Sequence, residues 1–216
     1  MKELTPTVMV IDDDEAVRSS LKLLLRSVKL PVTVYSSAQE FLPKYMVDQP
    51  GCLIVDVRMP GMSGLELQQQ LNLRGAMVPV IFITGHGDIS MAVEAMRHGA
   101  FDFIPKPFRD QDLLDRVQKA LEKDAKNRRE ISQTGRIKKQ FETLTPRERE
   151  VLELVTSGKP NKVMAADLRV SQRTIEIHRA RVMEKMGANS LAQLVRMVLG
   201  LRETDLRSDA SGGQTG

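Results

Sequence analysis

The 216-residue chain has no tryptophan, two tyrosines, six phenylalanines, three histidines and one cysteine. With Cys52 alone, no internal disulfide can form, and with only His86, His98 and His178 beside it a tetrahedral zinc cluster lacks ligands. Cys52 sits in an apolar run, where it reads as a small core residue rather than a reactive thiolate. Long apolar stretches are missing too. Runs such as Cys52 to Val55 and Val78 to Ile83 fall far short of the ~20 residues that span a bilayer. No charged-then-apolar leader opens the sequence, so the expectation is a protein of the reducing cytoplasm without membrane contact.

What is present is globular: 41% hydrophobic and 28% charged residues exclude a disordered chain, and the length suits one large domain or two small ones. The net charge of +4 is spread unevenly. Residues 1–122 hold 13 basic and 16 acidic side chains, net −3; residues 123–142 hold 7 and 3, net +4; residues 143–216 hold 12 and 9, net +3. A basic second half permits a nucleic-acid partner.

In the first half, short β-branched runs alternate with helical spacing. Thr7 to Ile11, Val32 to Tyr35, Cys52 to Val55, Val80 to Thr84 and Phe101 to Ile104 read as buried strands. Between and after them, apolar residues recur every three or four positions: Val17, Leu21, Leu24, Leu25 and Val28; Leu65, Leu67 and Leu71; Val93 and Met96; Leu113, Leu114, Val117 and Leu121. A fivefold (βα) repeat implies a parallel sheet covered by helices on both faces. The second half has no strand pattern. Thr145-Pro146-Arg147-Glu148 opens a helix with an N-cap hydroxyl, proline at the first position and a returning glutamate. Helices follow over about Asn161 to Leu168, Ser171 to Met186 and Ser190 to Leu199, a helix-turn-helix pattern. The expected class is therefore α/β plus all-α. The domains are 5–122, a linker over 123–139 compatible with helix, 140–203, and a flexible tail over 204–216.

In a parallel sheet the carboxyl ends of the strands converge on one pocket. Here they carry Asp12-Asp13-Asp14, Asp56 and Thr84, with Lys106 two residues past the last strand. Carboxylates so close raise one another's pKa unless a cation intervenes, and hard oxygen ligands suit Mg²⁺. With metal bound, Asp56 is the natural nucleophile toward a phosphoryl group, Lys106 neutralises its oxygens and Thr84 donates a hydrogen bond. Taken alone, Asp12 to Asp14 could equally be a solvated helix start. His86 is assigned no chemistry.

Residues 5–122 resemble the receiver domain of two-component response regulators, most closely through Asp56-Val57-Arg58-Met59-Pro60-Gly61-Met62-Ser63-Gly64 and Ile104-Pro105-Lys106-Pro107-Phe108. The resemblance implies a flavodoxin-like fold with sheet order 2-1-3-4-5. It implies Asp12 and Asp13 as the metal-binding pair, Asp56 as phosphoacceptor, and a metal contact from the Arg58 backbone carbonyl. Thr84 and Phe103 become the switch pair and Lys106 the phosphate contact, turned inward by a cis Lys-Pro bond. An enzymatic alternative, the haloacid-dehalogenase-like phosphatases, wants threonine or valine where Ala16 stands. A dinucleotide-binding oxidoreductase would need a G-x-G-x-x-G after the first strand, which is absent.

The segment Ser171 to Lys185 is about 22 Å long as a helix, a size that fits a major groove. Ile175, His178, Val182 and Met186 share one stripe, which leaves Arg173, Thr174, Glu176, Ile177, Ala180 and Arg181 outward for DNA bases and phosphates. Asn161, Lys162, Ser171, Arg179 and Lys185 suit phosphates. A solvated face on an ordinary bundle is the plainer alternative. Leu144-Thr145-Pro146-Arg147-Glu148-Arg149-Glu150-Val151-Leu152, Asn161-Lys162 and Thr174-Ile175-Glu176-Ile177-His178-Arg179 resemble the LuxR-type helix-turn-helix domain over residues 140–201. Together with the receiver and the string Thr84 to Met96, the chain resembles the FixJ-type subfamily. Glu176 departs from the lysine that many LuxR-type domains carry there. The resemblance implies a non-enzymatic transcriptional regulator. It further implies that a histidine kinase phosphorylates Asp56, that a homodimer forms through the fourth helix and fifth strand, and that promoter DNA is bound. RNA polymerase and activation of transcription follow from the same resemblance. An RNA-binding output is a further alternative, disfavoured by the helix lengths.

Overall fold

A computed structural model describes residues 5–85 and 89–211, with backbone only for 89–90 and 203–211. It divides into two compact units, residues 1–129 and 130–216.

The first unit is built on strands β1 (Thr7–Ile11), β2 (Val32–Tyr35), β3 (Gly51–Asp56), β4 (Val80–Thr84) and β5 (Asp102–Pro105). All pair in parallel, in the order β2-β1-β3-β4-β5. Alternation along the strands sorts the core into two layers. Met9, Ile11, Leu53, Val55 and Phe82 pack on one face with Phe41, Leu67, Leu71 and Ala95. Val8, Val10, Cys52, Ile54, Ile81 and Ile83 pack on the other with Leu21, Leu25, Leu113 and Val117. The covering helices are α1 (Glu15–Ser27), α2 (Ala38–Phe41), α3 (Gly64–Leu73), α4 (Ile89–Arg97) and the first part of α5 (Asp110–Glu142).

Two details depart from the periodicity. Helix α2 is a single turn, too short to leave a pattern, and is held by the Ser37 hydroxyl accepting from the Glu40 N–H. On α4, Val93 and Met96, grouped above as an apolar face, are 47% and 48% exposed, while Ala95 is fully buried. The small alanine is what lies against the sheet, so the larger side chains point outward.

Helix α3 begins hard against the strand end. Ser63 and Glu66 form a reciprocal capping box, and the Gly64 N–H donates to the Val57 carbonyl. A Cβ at Gly64 would stand 2.4 Å from the Asp56 carbonyl oxygen and 2.9 Å from the Phe82 ring. Gly64→Ala is therefore expected to destabilise the receiver unit by about 2 kcal/mol, the usual cost of overpacking, read as a lowered urea midpoint at constant slope.

The second unit contains the remainder of α5 and helices α6 (Pro146–Thr156), α7 (Asn161–Asp167), α8 (Gln172–Met186) and α9 (Leu191–Ser211). Its core joins Leu144, Val151, Leu152, Met164, Ile175, Val182, Met186, Leu194 and Val198. Residues 123–139, read above as a linker, lie within α5, and Gly135 does not interrupt it. Helix α9 extends to Ser211, past the start of the expected tail at 204. The rest of that tail lies outside the described residues.

Candidate functional site

The pocket at the carboxyl ends is built by strand register. Ile11 of β1 pairs with Val55, Asp56 with Ile83, and Thr84 with Pro105, so Asp12, Asp56, Thr84 and Lys106 all lie at the same edge. Asp12 is 2% exposed, Asp56 8% and Thr84 2%. The Lys106–Pro107 peptide is cis. Lys106 Nζ donates to Asp56 Oδ1 at 2.7 Å and to Asp12 Oδ2 at 3.0 Å, one ammonium between two buried carboxylates. The other Asp56 oxygen accepts from the Arg58 N–H at 2.8 Å, and Asp12 Oδ1 accepts from the Asp14 N–H at 2.8 Å.

Burial raises the Asp12 carboxyl above the usual carboxylate range, opposed by the Asp14 N–H and by Lys106. For Lys106, burial acts to lower the pKa, but hydrogen bonds and charge from Asp56 and Asp12 outweigh it and leave the ammonium more firmly protonated than an ordinary lysine.

Asp13 is exposed beside this pair, and Asp14 is the N-cap of α1, accepting from the Ala16 and Val17 N–H groups. The Thr84 hydroxyl donates to the Gly85 carbonyl at 3.4 Å. Phe103 is half-buried and is the cross-strand partner of Phe82 on the face toward which Thr84 also points by alternation. Arg18 was not singled out by sequence, yet its guanidinium donates to the Asp12 carbonyl at 2.7 Å. Its place on α1, one turn past the acidic run, is the signal that could have found it. His86 lies outside the described residues.

Among the described residues no three acidic, histidine or cysteine side chains converge into a ready-made metal cage. What fits a divalent ion is the donor chemistry. Two buried carboxylates already face one cation, and the exposed Asp13 follows Asp12 directly in the chain, all of them hard oxygen donors.

In the second unit, Ser171 caps α8 by accepting from the Thr174 N–H, and Gly187 closes it in the left-handed conformation at φ 61°. Ile175, Val182 and Met186 are buried, and His178 is half-buried with its Nδ1 lacking a hydrogen-bond partner among the described residues. Arg173, Glu176, Ile177, Ala180 and Arg181 are exposed along the opposite side, with Lys162 of α7 exposed as well. Thr174 shares a hydrogen bond with the Ser171 hydroxyl at 2.8 Å, and Arg179 donates to Asn161 Oδ1. Lys185 is turned inward. Its ammonium lies 2.6 Å from Glu148 Oε2.

Glu148 is the reciprocal member of the α6 capping box and is 2% exposed. The Lys185 hydrogen bond, then the Thr145 N–H, hold its carboxyl down at about 2. Because the folded value lies below the unfolded one, this contribution is complete above pH 4.5 and fades as pH falls toward 2. Glu148→Gln is expected to remove that component, so acid unfolding of the second unit between those limits becomes shallower when followed by circular dichroism.

A five-stranded parallel sheet with a lysine set between two buried carboxylates at its carboxyl edge, followed by a helix-turn-helix, is the architecture of a response regulator, and comparison with known proteins agrees. Residues 8–118 match the response regulator receiver domain, and residues 142–198 match the luxR family of bacterial regulatory proteins. The chain belongs to the FixJ-type response regulators, DNA-binding regulators of transcription. It is 50% identical to nodulation protein W of Bradyrhizobium diazoefficiens over 88% of this chain and 84% of that protein. Identity to the transcriptional regulatory protein FixJ of Azorhizobium caulinodans is 49%, over 92% of this chain and 94% of the relative. The solved response regulator StyR superimposes with a TM-score of 0.82 at 44% identity, covering 90% of this chain and 98% of that one. Membership makes the chain a regulator rather than an enzyme, with a kinase as partner and DNA as target. No helix among the described residues is long and apolar enough to cross a membrane.

Proposed function

We propose that this chain acts in the cytoplasm, where a partner histidine kinase phosphorylates Asp56 and the phosphorylated chain dimerises on promoter DNA to activate transcription. The observation that carries this reading is the Lys106 ammonium set between Asp56 and Asp12 at the strand ends. One Asp56 carboxylate oxygen attacks phosphorus, the phosphorus–nitrogen bond of the kinase phosphohistidine breaks, and the imidazole nitrogen leaves with the bonding pair. Asp12, Asp13, Asp56 and the Arg58 carbonyl would hold Mg²⁺, which when bound neutralises charge on the transferring oxygens. Lys106 follows the phosphoryl group as its remaining protein counter-charge.

Charge at Asp56 moves from −1 to about −2. The Thr84 hydroxyl turns to that new acceptor, and Phe103, on the same sheet face, repacks into the space vacated. The outer surface of α4 and β5 becomes the dimer face, a reading supported by the exposed Val93 and Met96. Two recognition helices then reach half-sites about 34 Å apart, so affinity rises by avidity. Arg173, Thr174, Glu176, Ile177, Ala180 and Arg181 face bases and phosphates, while Asn161, Lys162, Ser171 and Arg179 hold the backbone. RNA polymerase is the downstream partner. The domains run 5–122 for the receiver and 140–203 for the DNA-binding part, with residues 123–139 between them and 204–216 following.

Acetyl phosphate with Mg²⁺ is expected to convert monomer to dimer in size-exclusion chromatography and to strengthen retention of duplex over structured RNA in mobility shifts. A chain that stays monomeric and binds both nucleic acids alike would refute the reading.

A further inference from the structure

We propose that Lys185 is a positioning residue of the DNA-binding domain: its ammonium fastens the carboxyl-terminal end of the recognition helix to the amino-terminal cap of α6 and does not contact DNA phosphate. The inference rests on α8 being the DNA-reading helix and alters which of its cations meet DNA.

Lys185 is half-buried one turn beyond the exposed Arg181 and next to the buried Met186, on the flank of α8, where its side chain turns back toward the start of α6. Its Nζ donates to Glu148 Oε2 at 2.6 Å and to the Thr143 carbonyl at 3.2 Å. The same Glu148 oxygen accepts from the Thr145 N–H at 2.8 Å, and the Thr145 hydroxyl accepts from the Glu148 N–H at 3.3 Å. The lysine side chain is 34% exposed but its partner only 3%. Drawing the ammonium out to a phosphate would strand a buried carboxylate with one backbone donor, whereas a phosphate contact is made in water and screened by salt. The internal partner wins that contest. The recognition helix is thus tied at two points to the rest of its domain, at its middle by Arg179 to Asn161 of α7 and at its carboxyl-terminal end by Lys185 to Glu148 of α6. Such ties set the angle at which α8 presents Glu176 and Ile177. Lys185 therefore governs discrimination between sequences rather than attraction to DNA.

The test uses the full chain treated with acetyl phosphate and a duplex enriched by it from a random-sequence pool, compared with unselected duplex of equal length. Each phosphate contact contributes about 0.9 to the slope of log affinity against log salt. Lys185→Met is expected to leave that slope unchanged while preference for the selected duplex falls about tenfold, the scale of a misplaced base contact. Lys185→Arg, which keeps the charge, and Lys185→Met with Glu148→Gln, which removes both charges, are each expected to recover part of the preference. A slope lowered by about 0.9 in Lys185→Met, with weakening equal on both duplexes, overturns the proposal in favour of a phosphate contact. Preference unchanged in all three variants overturns it too. Failure to enrich any duplex from the pool refutes the DNA-reading assignment of α8 instead.

Discussion

Asp56→Asn is expected to lower labelling by acetyl phosphate at least about a hundredfold, as loss of a nucleophile does, and to make duplex binding indifferent to the phosphoryl donor. An amide oxygen lacks the negative charge that makes a carboxylate oxygen nucleophilic toward phosphorus. The rest of the pocket survives, because Lys106 keeps Asp12 at 3.0 Å and the amide oxygen still accepts from the Arg58 N–H. The thermal midpoint should therefore shift little, which separates lost chemistry from lost folding. Labelling at the wild-type level would move the acceptor to a neighbouring carboxylate, with Asp12 and Asp13 the next to substitute.

Asp124→Ala is expected to cost the receiver unit about 3 kcal/mol, the lower end of the range for removing one partner of a buried pair. Asp124 is 3% exposed, accepts from the Gly51 N–H at 2.9 Å at the start of β3, and pairs with Arg128 at 2.8 Å. The Arg128 guanidinium also donates to the Asp48 and Gln49 carbonyls at 2.8 and 2.6 Å. Alanine would leave a buried backbone donor unmet and an arginine, about a quarter exposed, without its counter-ion. In calorimetry this corresponds to a receiver transition lowered by about 10 °C, while the transition of residues 130–216 stays in place. Replacing Arg128 by methionine in the same chain should restore part of the loss, since the stranded cation is then gone. Equal stability of Asp124→Ala and wild type would show that α5 needs no polar anchor at that edge.

The central strands follow from sequence because a buried parallel strand is a continuous apolar run bounded by polar or turn residues, whereas their order in the sheet was implied only by the resemblance to receiver domains. The pocket was legible for the related reason that Asp12, Asp56, Thr84 and Lys106 fall where such runs end. Chain-distant polar pairing was not legible. Asp124 and Arg128 sit in a stretch whose composition is that of a linker, and nothing local announces that their partners lie more than 70 residues earlier. Lys185 poses the same difficulty in reverse. A lysine on a basic helix looks like a DNA contact until its buried carboxylate, 37 residues away, is located. The outward turn of Val93 and Met96 was hidden because periodicity gives a stripe but not the side to which a small residue such as Ala95 rotates it.

Cys52, at the centre of the sheet, is 0% exposed, and burial pushes its thiol up to about 12. It is the chain's one sulfhydryl. In the folded protein it is out of reach of oxidants and alkylating reagents alike, so the regulator carries no thiol chemistry to interfere with its carboxylates. Any thiol reagent that does react must wait for β3 to part from its neighbours. The rate of that reaction is consequently a clock for opening of the receiver sheet alone, a native reporter that needs no added label and ignores whatever the helical unit does.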